Sequence, residues 1–117
     1  MYKELLKAAE KAAENAYSPY SGLCVGAAIL SKDGRIFTGC NIENASFGAT
    51  VCAERVALFS AIAQGVRTFR AIAVTHTPCG ICRQTLSEFG DMDIVTTSGT
   101  KRLSALLPDA FKLGEGK

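Results

Sequence analysis

Thr50-Val51-Cys52-Ala53-Glu54 and Thr77-Pro78-Cys79-Gly80-Ile81-Cys82 are two versions of one local pattern. In each, a Thr suited to capping stands two residues before a Cys, and a helical run follows. Pro78 also fits a first helical position, where its missing N–H costs nothing. Both segments are expected to start helices. The first runs from Val51 to about Gln64, with Ala53, Val56, Ala57, Phe59, Ala61 and Ile62 marking a largely buried helix, and the second runs from Cys79 to Phe89. Gly65 and Gly90 stand where these helices stop.

Outward from these starts the period changes from helix to strand. Val25 to Leu30 and Arg35 to Ile42 flank Asp33-Gly34, a pair suited to a tight hairpin turn. Symmetric pairing about that turn sets Cys40 opposite Ala27 and Cys24 near Glu43. Phe69 to Thr75 and Met92 to Thr97 read as two further strands. Residues 2–15 carry a helical pattern of Leu and Ala among Lys and Glu, Asn15 to Gly22 reads as a loop, and Leu103 to Leu107 as a short last helix. Helix, hairpin, helix, strand, helix, strand, helix predicts an α/β fold of three layers, a mixed β-sheet with helices on both faces.

A chain of 117 residues fits one domain, residues 1–117. With 48% hydrophobic and 21% charged residues it is expected to fold rather than remain disordered. A net charge of +2 is too small and dispersed for a phosphate-binding footprint, so no nucleic-acid partner is expected. No apolar run approaches the roughly 20 residues of a membrane helix, and the first 17 residues lack a signal peptide's apolar stretch. No membrane partner is expected, and the location read from this is cytoplasmic. Five cysteines, an odd number in a reducing compartment, point to metal or reactive thiols more than to disulfides.

Helix N-termini present free N–H groups and partial positive charge, which favour the thiolate form that binds metal. Cys79 and Cys82 lie three apart on one helical face, and Cys52 comes from the other helix start. Two such ends aimed at one spot make a zinc site with three protein ligands. The fourth position is then open to water, as in catalytic sites. Glu54, in the first turn beside Cys52, is placed to act on that water as a general base. A structural zinc site would instead need a fourth ligand from Cys24, Cys40 or His76. Cys24 and Cys40 read as small buried apolar residues of strands, and His76 as a loop residue.

Cys52-Ala53-Glu54-Arg55 and Pro78-Cys79-Gly80-Ile81-Cys82-Arg83-Gln84 resemble the zinc site of the cytidine deaminase family. The likeness extends through Tyr17-Ser18-Pro19-Tyr20-Ser21, Val25-Gly26-Ala27-Ala28, Gly39-Cys40-Asn41-Ile42-Glu43-Asn44-Ala45-Ser46 and Leu106-Leu107-Pro108-Asp109-Ala110-Phe111. Cys52 in place of His as first ligand, with the short length, resembles the small homotetrameric branch. The resemblance implies a cytidine-deaminase-like fold and one Zn²⁺ per chain. It implies that Asn41 and Glu43 hold the ribose 3'-hydroxyl, that the Ala53 N–H donates to pyrimidine O2, and that Arg55 hydrogen-bonds the ligand thiolates. Three thiolates on Zn²⁺ sum to minus one, which is why such an arginine is wanted. Phe111 matches an aromatic that packs on the base from a neighbouring chain. Leu23 stands where the family usually has Phe against the pyrimidine, Phe47 where it usually has Tyr facing the sugar 5'-OH, and the stretch from Val74 to Cys79 is shorter than usual.

The resulting expectation is zinc-dependent hydrolysis of cytidine or deoxycytidine to the uracil nucleoside and ammonia, in pyrimidine salvage, by a homotetramer, with Glu54 as the proton shuttle. One alternative keeps the chemistry and changes the substrate to another aminopyrimidine nucleoside or a modified cytosine. Another is a non-catalytic structural-zinc binding module.

Overall fold

The computed structural model describes residues 2–111 and 113. Its helices are α1 Lys3–Ala12, α2 Ala53–Ala63, α3 Gly80–Ser87 and α4 Leu103–Leu106, with short 3-10 turns at Ala13–Asn15 and Phe47–Ala49. Its strands are β1 Gly26–Ser31, β2 Ile36–Cys40, β3 Phe69–Val74, β4 Asp93–Thr96 and β5 Gly99–Arg102, ordered β2-β1-β3-β4-β5 in one sheet. Strand β1 is antiparallel to both β2 and β3, β4 is parallel to β3, and β5 is antiparallel to β4. A parallel pair needs a crossover, which α3 supplies between β3 and β4.

Both faces of the sheet are covered, which is why its central strands read as continuous apolar runs. Ile29, Ile72, Val74 and Ile94 pack with Ala57, Leu58 and Leu86 of α2 and α3. Alternation sends Ala28, Ala71, Ala73 and Val95 to the opposite face, against Leu5 and Ala9 of α1. This is the mixed, three-layer arrangement expected from the element order.

One close approach positions the site. A Cβ on Gly39 would lie 2.4 Å from the Ala57 N and 2.6 Å from the Ala53 carbonyl oxygen, so glycine lets the start of α2 lie directly on β2. The first turn of α2, with Cys52 before it, is thereby held at one end of the sheet.

Three local expectations need correction. Gly26 faces Cys40 and Ala27 faces Gly39, one residue out from symmetric pairing about Asp33-Gly34. The Ser31 N–H donates to the Arg35 carbonyl, so Lys32-Asp33-Gly34 form a three-residue loop with Gly34 at φ 94°. The Asp33 carboxylate accepts from the Ser31 hydroxyl and from the Arg35 backbone and side chain, which centres the loop on Asp33. Second, β5 is a strand that the sequence pattern does not predict; Gly99-Thr100-Lys101-Arg102 is exposed throughout and carries no apolar residue to signal a strand.

Third, neither helix is capped by its Thr. Cys52 and Cys79 themselves occupy the cap positions of α2 and α3, with extended backbone and no side-chain capping bond. Thr50 Oγ1 instead accepts from the Asn44 N–H at 3.0 Å, tying down the preceding loop. Pro78 lies before the cap rather than inside the helix, and its carbonyl accepts from Arg83 Nε at 3.0 Å.

Candidate active site

Because the two caps are cysteines, the uncapped N-termini of α2 and α3 deliver thiols to the point where their dipoles converge. Cys52 Sγ lies 3.8 Å from Cys79 Sγ, which lies 3.5 Å from Cys82 Sγ. All three sulfurs fall within 4.8 Å of one another. A tetrahedral ion with metal–sulfur bonds of about 2.3 Å needs sulfurs about 3.8 Å apart. The spacing and the soft donor set therefore suit a zinc ion. Cys24, Cys40 and His76 do not join this group among the described residues. Cys24 is exposed and lies ahead of β1, with its sulfur 3.4 Å from Ser18 Oγ, which corrects its reading as a buried strand residue. Cys40 is half-buried at the end of β2, where burial raises its thiol pKa.

Cys79 and Cys82 are unlike one another. Burial works to raise the Cys79 pKa, but hydrogen bonds from the Cys82 N–H, the neighbouring thiols and the Ile81 N–H outweigh it, and the net direction is down. Cys82 is fully buried and is pushed strongly up, by burial first and then by the Glu54 carboxylate and the neighbouring sulfurs. Arg55 Nη2 donates to Cys52 Sγ at 3.5 Å, while its buried Nε has no partner among the described residues. Contact with Cys52, opposed by burial and aided by Cys82, raises the guanidinium pKa. A cation is thus fixed behind a cluster whose natural charge with a divalent ion is minus one.

Glu54 is 4% exposed, an unusual position for a carboxylate without a cation directly on it. Burial raises its pKa, and its own backbone N–H, the Cys82 thiol, Arg55 and His76 only partly offset this. It lines a cleft of about 470 Å³ together with Cys52 and Cys79, within the range of small-molecule sites. Ala53 lies at the first helical position beside Glu54 and lines the same cleft.

Asn41 and Glu43 reach this cleft from the end of β2. Asn41 Nδ2 donates to the Leu23 carbonyl at 2.8 Å, and its Oδ1 accepts from the Val25 N–H at 2.8 Å. Glu43 Oε1 accepts from the Tyr20 and Ser21 N–H groups, each at 3.0 Å, and Oε2 accepts from the Ser21 hydroxyl. The Ser21 hydroxyl, then its N–H, lower the Glu43 pKa, with burial opposing and the Tyr20 N–H assisting. Leu23, 49% exposed, forms part of the wall.

Two expected contacts lie outside the cleft of a single chain. Phe47 is 78% exposed and meets Tyr20 edge to face at 6.5 Å, lining an adjoining depression that shares Ser21, Glu43 and Thr50 with the cleft. Phe111 is 67% exposed and is held on α3, where Gln84 Nε2 donates to its carbonyl at 2.6 Å and Gln84 Oε1 accepts from its N–H at 3.4 Å. The sequence pattern assigns Ser21 no role and gives Thr50 and Thr77 only a capping role, yet all three line the cleft. For Ser21 a signal existed in the Tyr17–Ser21 likeness, but nothing local said which carboxylate it meets.

Three thiols at metal-ligand spacing, a buried carboxylate beside them and an open cleft define a hydrolase of the metal-activated-water class. Residues 1–98 match the family model described as the cytidine and deoxycytidylate deaminase zinc-binding region. The chain is 47% identical to a cytidine deaminase of Halalkalibacterium halodurans, over 92% of this chain and 91% of that one. It is 44% identical to a cytidine deaminase of Sporosarcina psychrophila, over 93% and 90%. The crystal structure of cytidine deaminase from Burkholderia pseudomallei superposes with a TM-score of 0.87 at 45% identity, over 95% and 99% of the two chains. The chain belongs to the cytidine and deoxycytidylate deaminase family and is a hydrolytic deaminase.

Proposed function

We propose that the chain 1–117 acts as one deaminase domain that converts cytidine and deoxycytidine to the uracil nucleosides with release of ammonia. The observation that carries this reading is the buried Glu54 carboxylate in one cleft with Cys52 and Cys79. Cys52, Cys79 and Cys82 would hold one Zn²⁺, which when bound supplies Lewis-acid activation of water. Glu54 takes a proton from the attacking water and delivers it to N3 of the base as C4 is attacked, then moves the proton of the new C4 hydroxyl to the departing amine, so that the C4–N bond breaks as the carbonyl forms. Its burial supports this role, because a carboxyl with a raised pKa is suited to pass protons in both directions. The Ala53 N–H donates to O2 of the base, Arg55 steadies the thiolates, and Asn41 and Glu43 hold the 3'-hydroxyl. Ammonia release from a panel of aminopyrimidine nucleosides by the zinc-loaded protein tests the reading. Absence of turnover on cytidine and deoxycytidine would overturn it.

Phe111, exposed on its own chain, supports a homotetramer in which that ring packs on the base of a neighbouring site. Light scattering at micromolar concentration is expected to give the tetramer mass, and a fully active monomer would contradict a shared site.

One observation favours a broader substrate range. Among the described residues no Phe, Tyr or Trp of the same chain lines the cleft, and where Phe would stand against the base Leu23 gives the wall a branched aliphatic side chain. An aromatic stack is worth about 0.5–1.5 kcal/mol beyond its buried area. The chain is therefore expected to bind cytidine weakly and to accept modified cytosines. Leu23→Phe combined with Phe47→Tyr should lower the cytidine KM and narrow the range of analogues; no change in either would remove these positions from substrate selection.

A further inference from the structure

The Tyr20–Val25 segment forms one wall of the cleft, and it is held by the same side chains expected to bind the sugar. Glu43 Oε1 already accepts two hydrogen bonds, from the Tyr20 and Ser21 N–H groups. Glu43 Oε2 accepts one, from Ser21 Oγ. A carboxylate offers about four acceptor positions, so these three bonds leave one, on Oε2. The Ser21 hydroxyl in turn accepts from the Leu23 N–H at 3.0 Å. Its single proton faces Glu43 and its lone pair faces the backbone of the residue that forms the wall. One hydroxyl thus links the group at the sugar end of the cleft to the residue lining its side.

We infer that Ser21 is a specificity-determining positioning residue, whose hydroxyl orients the Glu43 carboxylate so that a single acceptor position remains for the substrate's 3'-hydroxyl. The inference rests on the reading of Glu43 as the sugar-hydroxyl acceptor and adds to it the device that aims that acceptor. Without the Ser21 hydroxyl, Oε2 has two positions to fill and the Leu23 N–H loses its partner. The carboxylate then meets water and substrate in several orientations, and discrimination for the 3'-hydroxyl falls.

The test compares cytidine with 3'-deoxycytidine on zinc-loaded wild type, Ser21→Ala, Ser21→Thr and Glu43→Ala, with thermal unfolding and zinc content as controls. For Ser21→Ala the cytidine KM should rise about tenfold, the worth of one hydrogen bond to a charged acceptor, with kcat within about twofold. Its kcat/KM on 3'-deoxycytidine should match the wild type, and Ser21→Thr should recover most of the loss. Equal losses on both substrates, or no loss on either, would overturn the role of Ser21 while leaving Glu43's intact. If wild type and Glu43→Ala treat the two substrates alike, the reading of Glu43 fails and the inference fails with it. If the wild type turns over neither nucleoside, the deaminase reading itself is what has failed.

Discussion

The two ends of the cleft are built on opposite principles. At the deep end, three sulfurs crowd within 4.8 Å, Cys82 and Glu54 are pushed toward their neutral forms by burial, and Arg55 Nε lacks a partner among the described residues. At the outer end, Asn41 and Glu43 satisfy a loop's backbone groups, and hydrogen bonds draw the Glu43 pKa down. The deep end is electrostatically incomplete, and an ion held by the three thiols would supply its balance. The outer end is complete within the polypeptide and, on the proposed reading, would leave a substrate only the acceptor positions its own bonds have not used. On the proposed reading, chemistry is concentrated where the fold leaves groups unsatisfied, and recognition where it satisfies nearly all of them.

The largest effect expected at the deep end is catalytic. Glu54→Gln should keep zinc and fold yet lose roughly a hundredfold to ten-thousandfold or more in kcat, since it removes the group proposed to carry each proton. Steady-state kinetics with metal analysis checks this, and a variant with most of its activity would break the contrast at its centre.

Next comes metal dependence. Removing zinc with a chelator, or introducing Cys79→Ser, should lower the unfolding temperature and abolish stoichiometric zinc, because three converging thiols and a buried carboxylate lose what balances them. Asn41→Ala, at the outer end, should leave zinc content unchanged. Calorimetry and metal analysis of both variants would sharpen the comparison, and full zinc in Cys79→Ser would overturn the ligand assignment.

The smallest effect is a pair of opposed titrations in the metal-free protein. Glu54 has a raised pKa, so it adds stability below the ordinary carboxylate pKa and loses it as pH rises through its own. Glu43 has a lowered pKa, so it adds stability above the ordinary value and loses it as pH falls through its own. Carboxyl NMR should therefore find Glu54 titrating above the ordinary glutamate range and Glu43 below it. Ser21→Ala should bring Glu43 back toward that range; titration of both at one pH would erase the distinction between the two ends.

Residue identity and local spacing already contained the deep end. Cys52, Cys79 and Cys82 at two helix starts, with Glu54 in the first turn beside Cys52, are chemical types whose joint presence has few other uses, and helical periodicity predicted α2 and α3 around them. The apolar runs of β1 and β3 likewise announced a sheet covered on both faces. Three features were decided only when the chain closed on itself. Hairpin register depended on Asp33 accepting bonds from both sides of its loop. Strand β5 exists because Gly99–Arg102 pairs with an edge, although no side chain there is buried. The role of Ser21 depended on meeting Glu43, 22 residues away. Periodicity and residue type record what a segment needs from water or a metal, and these act locally. A hydrogen bond between distant polar residues leaves no period in the sequence, so its partners are known only once packing has brought them together.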